Sequence, residues 1–430
     1  MNICDDTPVS LKLLENCRLI DVRAEKVRDG RSLLIKDDRV EKIGPVDAFA
    51  DTVRQVAAED RIDCSGRTVL PGLIDAHVHL CVIRAKDVLQ TAAANVKASE
   101  PLLVLHGARN AVETLKSGYT TVRDVGQGDV LALRDAIEAG VVPGPRIIAY
   151  NYLGMQGGHQ QCMNAEWRFN LPPRPRDRGV DGPWAVRRRV RELVALGADG
   201  IKTFTAGEGL RLHPLDDAWR ERPNFTTAEL AALVDEAHNA GRRVAAHSLV
   251  SVRGVKAAIE AGVDTLEHGI FLDEADVSAL REKNIYYVPT LAVVQRMWRP
   301  EARGGPQYLA VSAERAAAYL EAHLRSVRLA LAAGVPIAAG SDTFRVLKPG
   351  ENAVELACLV RAGLSPMAAL RSATVVAARA LGIAAHVGSL EPGKKADLVV
   401  LSADPLADIS VLRDRQRIEH IMKNGVLQRL

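Results

Sequence analysis

Two histidines stand two residues apart at the end of an apolar run, His77-Val78-His79 in LPGLIDAHVHL. Side chains at i and i+2 of a β-strand share a face, so both imidazoles can reach one ion. Four more residues of types that bind metals or titrate lie far along the chain: Lys202, His247, His268 and Asp342. Each lies within, or directly follows, a short apolar segment. Singly, each has an ordinary structural explanation. A histidine at a strand end is commonly a hydrogen-bonded rim residue. Lys202 could carry its ammonium from a buried stem to water, and Asp342, in SDT, has good helix-capping chemistry. Jointly they suggest a metal centre.

What could bring such distant residues together is an alternation of strands and helices. Strand candidates are 68–80, 120–125, 146–150, 200–204, 243–247, 264–268, 286–291 and 336–341. Between them run amphipathic segments such as TAELAALVDEAHNAG and SVRGVKAAIEAG, apolar at i, i+3 and i+4 and closed by glycine. Eight such units predict an α/β chain whose body, 68–384, is a (β/α)8 TIM barrel. A doubly wound sheet is the alternative, but no GxGxxG opens a helix after the first strand. The ends read differently: 1–67 and 385–430 contain short strands with turn chemistry at KDDR, CSGR, EPGKKAD and KNG, which predicts one small β-sandwich domain built from both. In a barrel, reactive groups gather where strands end on the carboxyl side. Every residue named above falls on a barrel strand or at the strand's carboxyl end.

Composition narrows the partners. Across 430 residues the chain is 47% hydrophobic and 25% charged with a formal net charge of +3, so neither nucleic acid nor a membrane surface is expected. The first residues, MNICDDTPVS, lack the basic and apolar regions of a secretory signal, and six scattered cysteines show no CxxC. Reduced thiols and a cytoplasmic location follow as expectations. A small-molecule substrate fits best, and self-association into a homo-oligomer stays open.

The segments PGLIDAHVHL, SGYTTVRDVG, GADGIKTF, VAAHS, AGVDTLEHG, PTL, AGSDT and SLEPGKKADLVVL, in this order, resemble the amidohydrolase superfamily of metal-dependent hydrolases. The likeness is greatest to the imidazolonepropionase-like branch that includes bacterial Xaa-Pro dipeptidases. The resemblance implies two divalent ions, most often zinc, with manganese or cobalt also acceptable to such ligands. It implies that His77, His79 and Asp342 hold one ion, that His247 and His268 hold the other, and that Lys202 bridges them after carboxylation by carbon dioxide. Asp342 would be the catalytic proton carrier, and a substrate-contacting histidine would fall at His159 of Gly157-Gly158-His159. Mononuclear deaminases lack the lysine, and their helper glutamate is absent from HSLVSVRG.

Loops after the strands set the substrate. Trp167, Trp184, Trp219 and Trp298 all follow predicted strands, in a chain only 4% aromatic. This suggests a bulky, aromatic or apolar substrate, contacted by Trp167, Trp219 and Trp298 and by Phe344 beside Asp342. The alternative is that the indoles merely pin long loops to the barrel. Where dipeptidase relatives commonly place a tyrosine, two residues past the strand-five histidine, this chain has Leu249. An N-acyl amino acid, aryl amide, carbamate or urea is therefore favoured over a dipeptide or a cyclic amide, both of which remain open.

Overall fold

The computed structural model describes residues 10–85, 88–126, 128–155, 179–206, 223–297, 313–344 and 346–429. The chain opens with β1 (Leu11–Asp21), β2 (Lys26–Lys36), β3 (Arg39–Pro45), β4 (Arg61–Asp63) and β5 (Thr68–Pro71). It continues through β6 (Leu73–Val78), β7 (Tyr119–Asp124), β8 (Arg146–Leu153), β9 (Gly200–Phe204), β10 (Arg243–Ser248), β11 (Thr265–His268) and β12 (Tyr286–Val288). It closes with β13 (Leu398–Leu401), β14 (Ile418–Lys423) and β15 (Val426–Leu427).

The two ends of the chain meet in one eight-stranded sheet, ordered β15-β14-β13-β5-β1-β2-β3 with β4 paired to β1. Strand periodicity splits its side chains between two cores. On β13, Leu398 and Val400 join Leu14, Leu33 and Met422 in the sheet's own core, while Val399 and Leu401 face the barrel cluster.

Strands β6 to β12 form a parallel seven-stranded sheet in sequential order, interleaved with helices such as Thr227–Asn239 and Val252–Ala261. The first of these starts with a reciprocal capping box between Thr226 and Glu229. The second ends on Gly262 with φ 77°, a left-handed conformation that glycine takes without a Cβ penalty. The eighth position is taken by an extended segment rather than a regular strand. It bridges both edges of the sheet, pairing Ile337 with Tyr287 of β12 and Thr343 with Val78 of β6. Ala338 N donates to Tyr287 O at 2.9 Å, and Ala76 N donates to Ala339 O at 2.8 Å. The molecule is thus a nearly closed TIM-like barrel with a β-sheet domain made by both ends.

Two further strand expectations need correction. The run 68–80 is two strands, because Gly72 turns the chain from the terminal sheet into the barrel. A Cβ there would sit 2.1 Å from Thr120 Oγ1, so only glycine permits that approach. The run 286–291 stops at Val288. Pro289 has no N–H to continue a ladder, Thr290 is left-handed at φ 53°, and Leu291 opens the helix Leu291–Met297.

Candidate metal centre

The strands deliver their polar residues to one end of the barrel. His77 is the penultimate residue of β6, and its carbonyl accepts the amide of Asp342 at 2.7 Å. Three non-glycine residues near the ends of the last strands are left-handed: His268 at φ 71°, Thr290 at 53° and Asp342 at 51°. Such backbone is strained by about 1–3 kcal/mol per residue and persists where its surroundings fix it. At His268 the surroundings are visible, since its carbonyl accepts Tyr287 Oη at 2.9 Å and His323 Nε2 at 3.0 Å.

One ligand atom from each of His77, His79 and Asp342 lies within 4.8 Å of the others. Asp342 Oδ1 is 3.5 Å from His79 Nε2 and 3.9 Å from His77 Nε2. The His247 and His268 rings lie 4.4 Å apart, and His268 is 5.1 Å from the His77 ring. The Lys202 Nζ is buried with no hydrogen-bond partner. Burial pulls its pKa down to about 8, a fall that Glu267 and Asp342 oppose and Arg123 assists. Burial also holds His77, His247 and His268 well below the usual histidine range, and the Lys202 charge adds to the effect on all three. Neutral imidazoles keep a lone pair for a ligand.

The far sides of the rings are also fixed. His77 Nδ1 meets Glu267 Oε2 at 2.6 Å and His79 Nδ1 meets the carbonyl of Gly126. Both partners only accept, so each Nδ1 carries its hydrogen and each Nε2 presents a lone pair towards Asp342. His268 Nδ1 contacts Thr290 Oγ1 at 2.7 Å. A carboxylate, four imidazoles and a buried amine without an acceptor are donors that fit divalent ions. Protonated Lys202 would oppose such ions, whereas its carboxylated form would offer oxygens.

Sequence reasoning missed three buried acids around this cluster. Asp75 accepts the amides of His77 and Ser341, both at 3.0 Å, and the Asn352 amide group at 2.8 Å. It ties β6 to the segment that carries Asp342. Its signal was available, since Asp75 and His77 share a strand face. Asp124, which burial pushes up to about 8, accepts Leu80 N at 2.7 Å and Gly126 N at 2.9 Å. It thereby joins the turn after β6 to the turn whose carbonyl meets His79. Glu267 directly precedes His268, and nothing in its local sequence marks it as a partner of the site.

The expected substrate contacts divide. His159, Trp167, Trp219 and Trp298 lie outside the described residues. The Phe344 ring is 5.1 Å from that of His79, and Phe204 is 5.4 Å from His247. Leu249 is partly buried against the cluster of Ile270, Val293, Val294 and Tyr319. Trp184, the second residue of the helix Pro183–Ala195, is 83% exposed. The four described cysteines are buried, and among the described residues no helix is long and apolar enough to cross a membrane.

The model of the amidohydrolase family matches residues 68–427. The chain belongs to the amidohydrolase family. It is 32% identical over 386 residues to the ochratoxinase of Aspergillus niger, covering 84% of this chain and 75% of that protein. It is 28% identical over 421 residues to the imidazolonepropionase of Symbiobacterium thermophilum, covering 88% and 87%. Among solved structures, a Xaa-Pro dipeptidase with bound methionine in its active site superposes with a TM-score of 0.85 at 33% identity, covering 97% of this chain and all of the other. This amidohydrolase is an enzyme that hydrolyses carbon–nitrogen bonds of the amide kind in a small-molecule substrate.

Proposed function

We propose that this amidohydrolase cleaves an amide-type bond next to a bulky aromatic or apolar group, in an N-acyl amino acid, aryl amide, carbamate or urea. His77, His79 and Asp342 would hold one divalent ion, His247 and His268 a second, and carboxylated Lys202 would serve both. Zinc is the first choice, with manganese or cobalt as substitutes. The observation that carries the reading is Lys202: a buried amine without an acceptor, electrostatically coupled to three histidines and to Asp342. When bound, the ions would acidify a water and polarise the scissile carbonyl.

The protein's own part is to place acceptors and move one proton. Asp342 would take the proton of the attacking water and return it to the departing nitrogen. Its left-handed backbone, bonded to the His77 carbonyl, fixes where that carboxylate stands. Phe344 and Phe204, beside His79 and His247, would offer apolar surface to the substrate. Trp167, Trp219, Trp298 and His159 are proposed to complete the pocket, and a cytoplasmic location is proposed with them.

The relative named ochratoxinase supports the bulky-substrate reading. The neighbour named a Xaa-Pro dipeptidase favours a second reading, cleavage of Xaa-Pro or Xaa-hydrophobic dipeptides. Leu249 weighs against that, since it cannot donate a hydrogen bond to a peptide carbonyl or carboxylate. A panel of aryl amides, N-acyl aromatic amino acids, ureas, carbamates and dipeptides decides between them. A kcat/KM for the aromatic amides at least tenfold above that for Ala-Pro is expected. The reverse order would establish the dipeptidase reading.

A further inference from the structure

We propose that Arg123 and Glu267 are positioning residues that set which nitrogen of His77 carries hydrogen, and thereby the affinity of the centre for its ion. The inference rests on His77 being a ligand, as proposed above. Arg123 on β7 and Glu267 on β11 are both fully buried. The guanidinium donates through Nη2 to Glu267 Oε1 at 2.6 Å, through Nη1 to Thr265 Oγ1 at 2.9 Å and through Nε to the carbonyl of Ala76. Its carbon also lies 5.1 Å from the centre of the Tyr150 ring. The Thr265 hydroxyl donates to the same Oε1.

One oxygen of Glu267 is therefore occupied by two donors, and the other is left for His77 Nδ1 at 2.6 Å. A carboxylate accepts only, so the imidazole hydrogen is confined to Nδ1 and the lone pair to Nε2, facing Asp342. Holding the barrel together is a weak reason for such a pair. A buried ion pair can often be exchanged for apolar residues of similar volume without loss of stability. A fixed orientation of Glu267 towards a histidine is something apolar residues could not supply.

The orientation argument gives opposite expectations for two variants. In Glu267→Gln, Arg123 still requires an acceptor and holds the amide oxygen on its own side. The amide NH2 then faces His77 Nδ1 and drives the imidazole hydrogen onto Nε2, where it blocks a ligand bond. Affinity for Zn2+ is expected to fall about 10- to 100-fold, the usual effect of losing such a partner. In Arg123→Met/Glu267→Gln the amide is free to turn. Its NH2 donates to Thr265 Oγ1, its oxygen accepts from His77 Nδ1, and most of the affinity is expected to return. A purely structural role predicts instead that the double variant is worse than the single one.

The experiment is competition for Zn2+ against a chromophoric chelator, with metal content by elemental analysis and thermal unfolding of each metal-free protein as a control. Equal affinity in wild type and Glu267→Gln would overturn the proposal, as would a double variant binding no better than the single. Should the single variant fail to fold because Arg123 is left without its counter-charge, two double variants replace it. Arg123→Met/Glu267→Gln retains an acceptor for His77 and Arg123→Met/Glu267→Met does not; equal affinities in that pair overturn the proposal. A wild-type protein that takes up no ion would remove the metal-centre reading itself. Normal loading of wild type and Glu267→Gln alike would remove only the present inference.

Discussion

Consider Lys202→Met in metal-free protein stripped of carbon dioxide. The folded chain holds the amine at about pKa 8, against the ordinary 10.5, and desolvation is the main cause. Between those two values the unfolded chain binds the extra proton, so stability rises with pH across that window. Below about pH 8 both states are protonated and the folded state carries the whole cost of a buried ammonium. The difference between 10.5 and about 8, at 1.36 kcal/mol per pH unit, comes to about 3 kcal/mol. Methionine has a similar unbranched shape and no charge, so it removes that cost. With unfolding entropy near 2.1 cal/mol/K per residue over 430 residues, 3 kcal/mol corresponds to a Tm higher by about 3 °C. Calorimetry of both proteins at pH 7 and pH 10 measures it directly. The variant should melt about 3 °C above wild type at pH 7, and the gap should shrink to under about 1 °C at pH 10. It should also be inactive. A variant less stable than wild type at pH 7, or a gap indifferent to pH, would refute the account of Lys202 as a charge buried at a cost.

Two further substitutions test neighbouring parts of the centre. Asp342→Asn should retain most of its metal while kcat falls about 10²- to 10⁴-fold, the usual contribution of a positioned proton carrier; turnover within threefold of wild type removes Asp342 from that role. Gly340→Ala would place a Cβ 2.5 Å from Val288 Cγ1 and 2.8 Å from His77 Cβ. It should cost about 1–3 kcal/mol as an overpacked core and lower metal content by shifting His77; full metal loading with unchanged Tm would show that the contact relaxes freely.

The barrel was legible because its strands are short apolar runs separated by amphipathic, glycine-closed helices, and period two already placed His77 and His79 on one face. The site residues His247, His268 and Asp342 could be read because each ends, or shortly follows, an apolar run. What escaped were groups defined by partners rather than by position. Nothing in LEHG says that Glu267 reaches His77, 190 residues away; that contact exists only once β11 and β6 curve round a common interior. Asp124 stands in VRDVG, yet its bonds to Leu80 and Gly126 depend on two turns meeting. The eighth strand was read as regular because its apolar pattern is, whereas Gly340 beside His77 and left-handed Asp342 interrupt the ladder where the chemistry is sited.

Gly72 alone separates the last residue of β5 from the first residue of the strand that bears His77. That elbow lies at the amino end of the strand, opposite the end that presents His77, so with no slack there a tilt of the terminal sheet moves the strand and the ligand it carries. Anyone re-engineering substrate preference would do well to alter the far-side connections and leave this joint untouched. Grafting the barrel onto a foreign support without its sheet would amount to changing the active site by remote control.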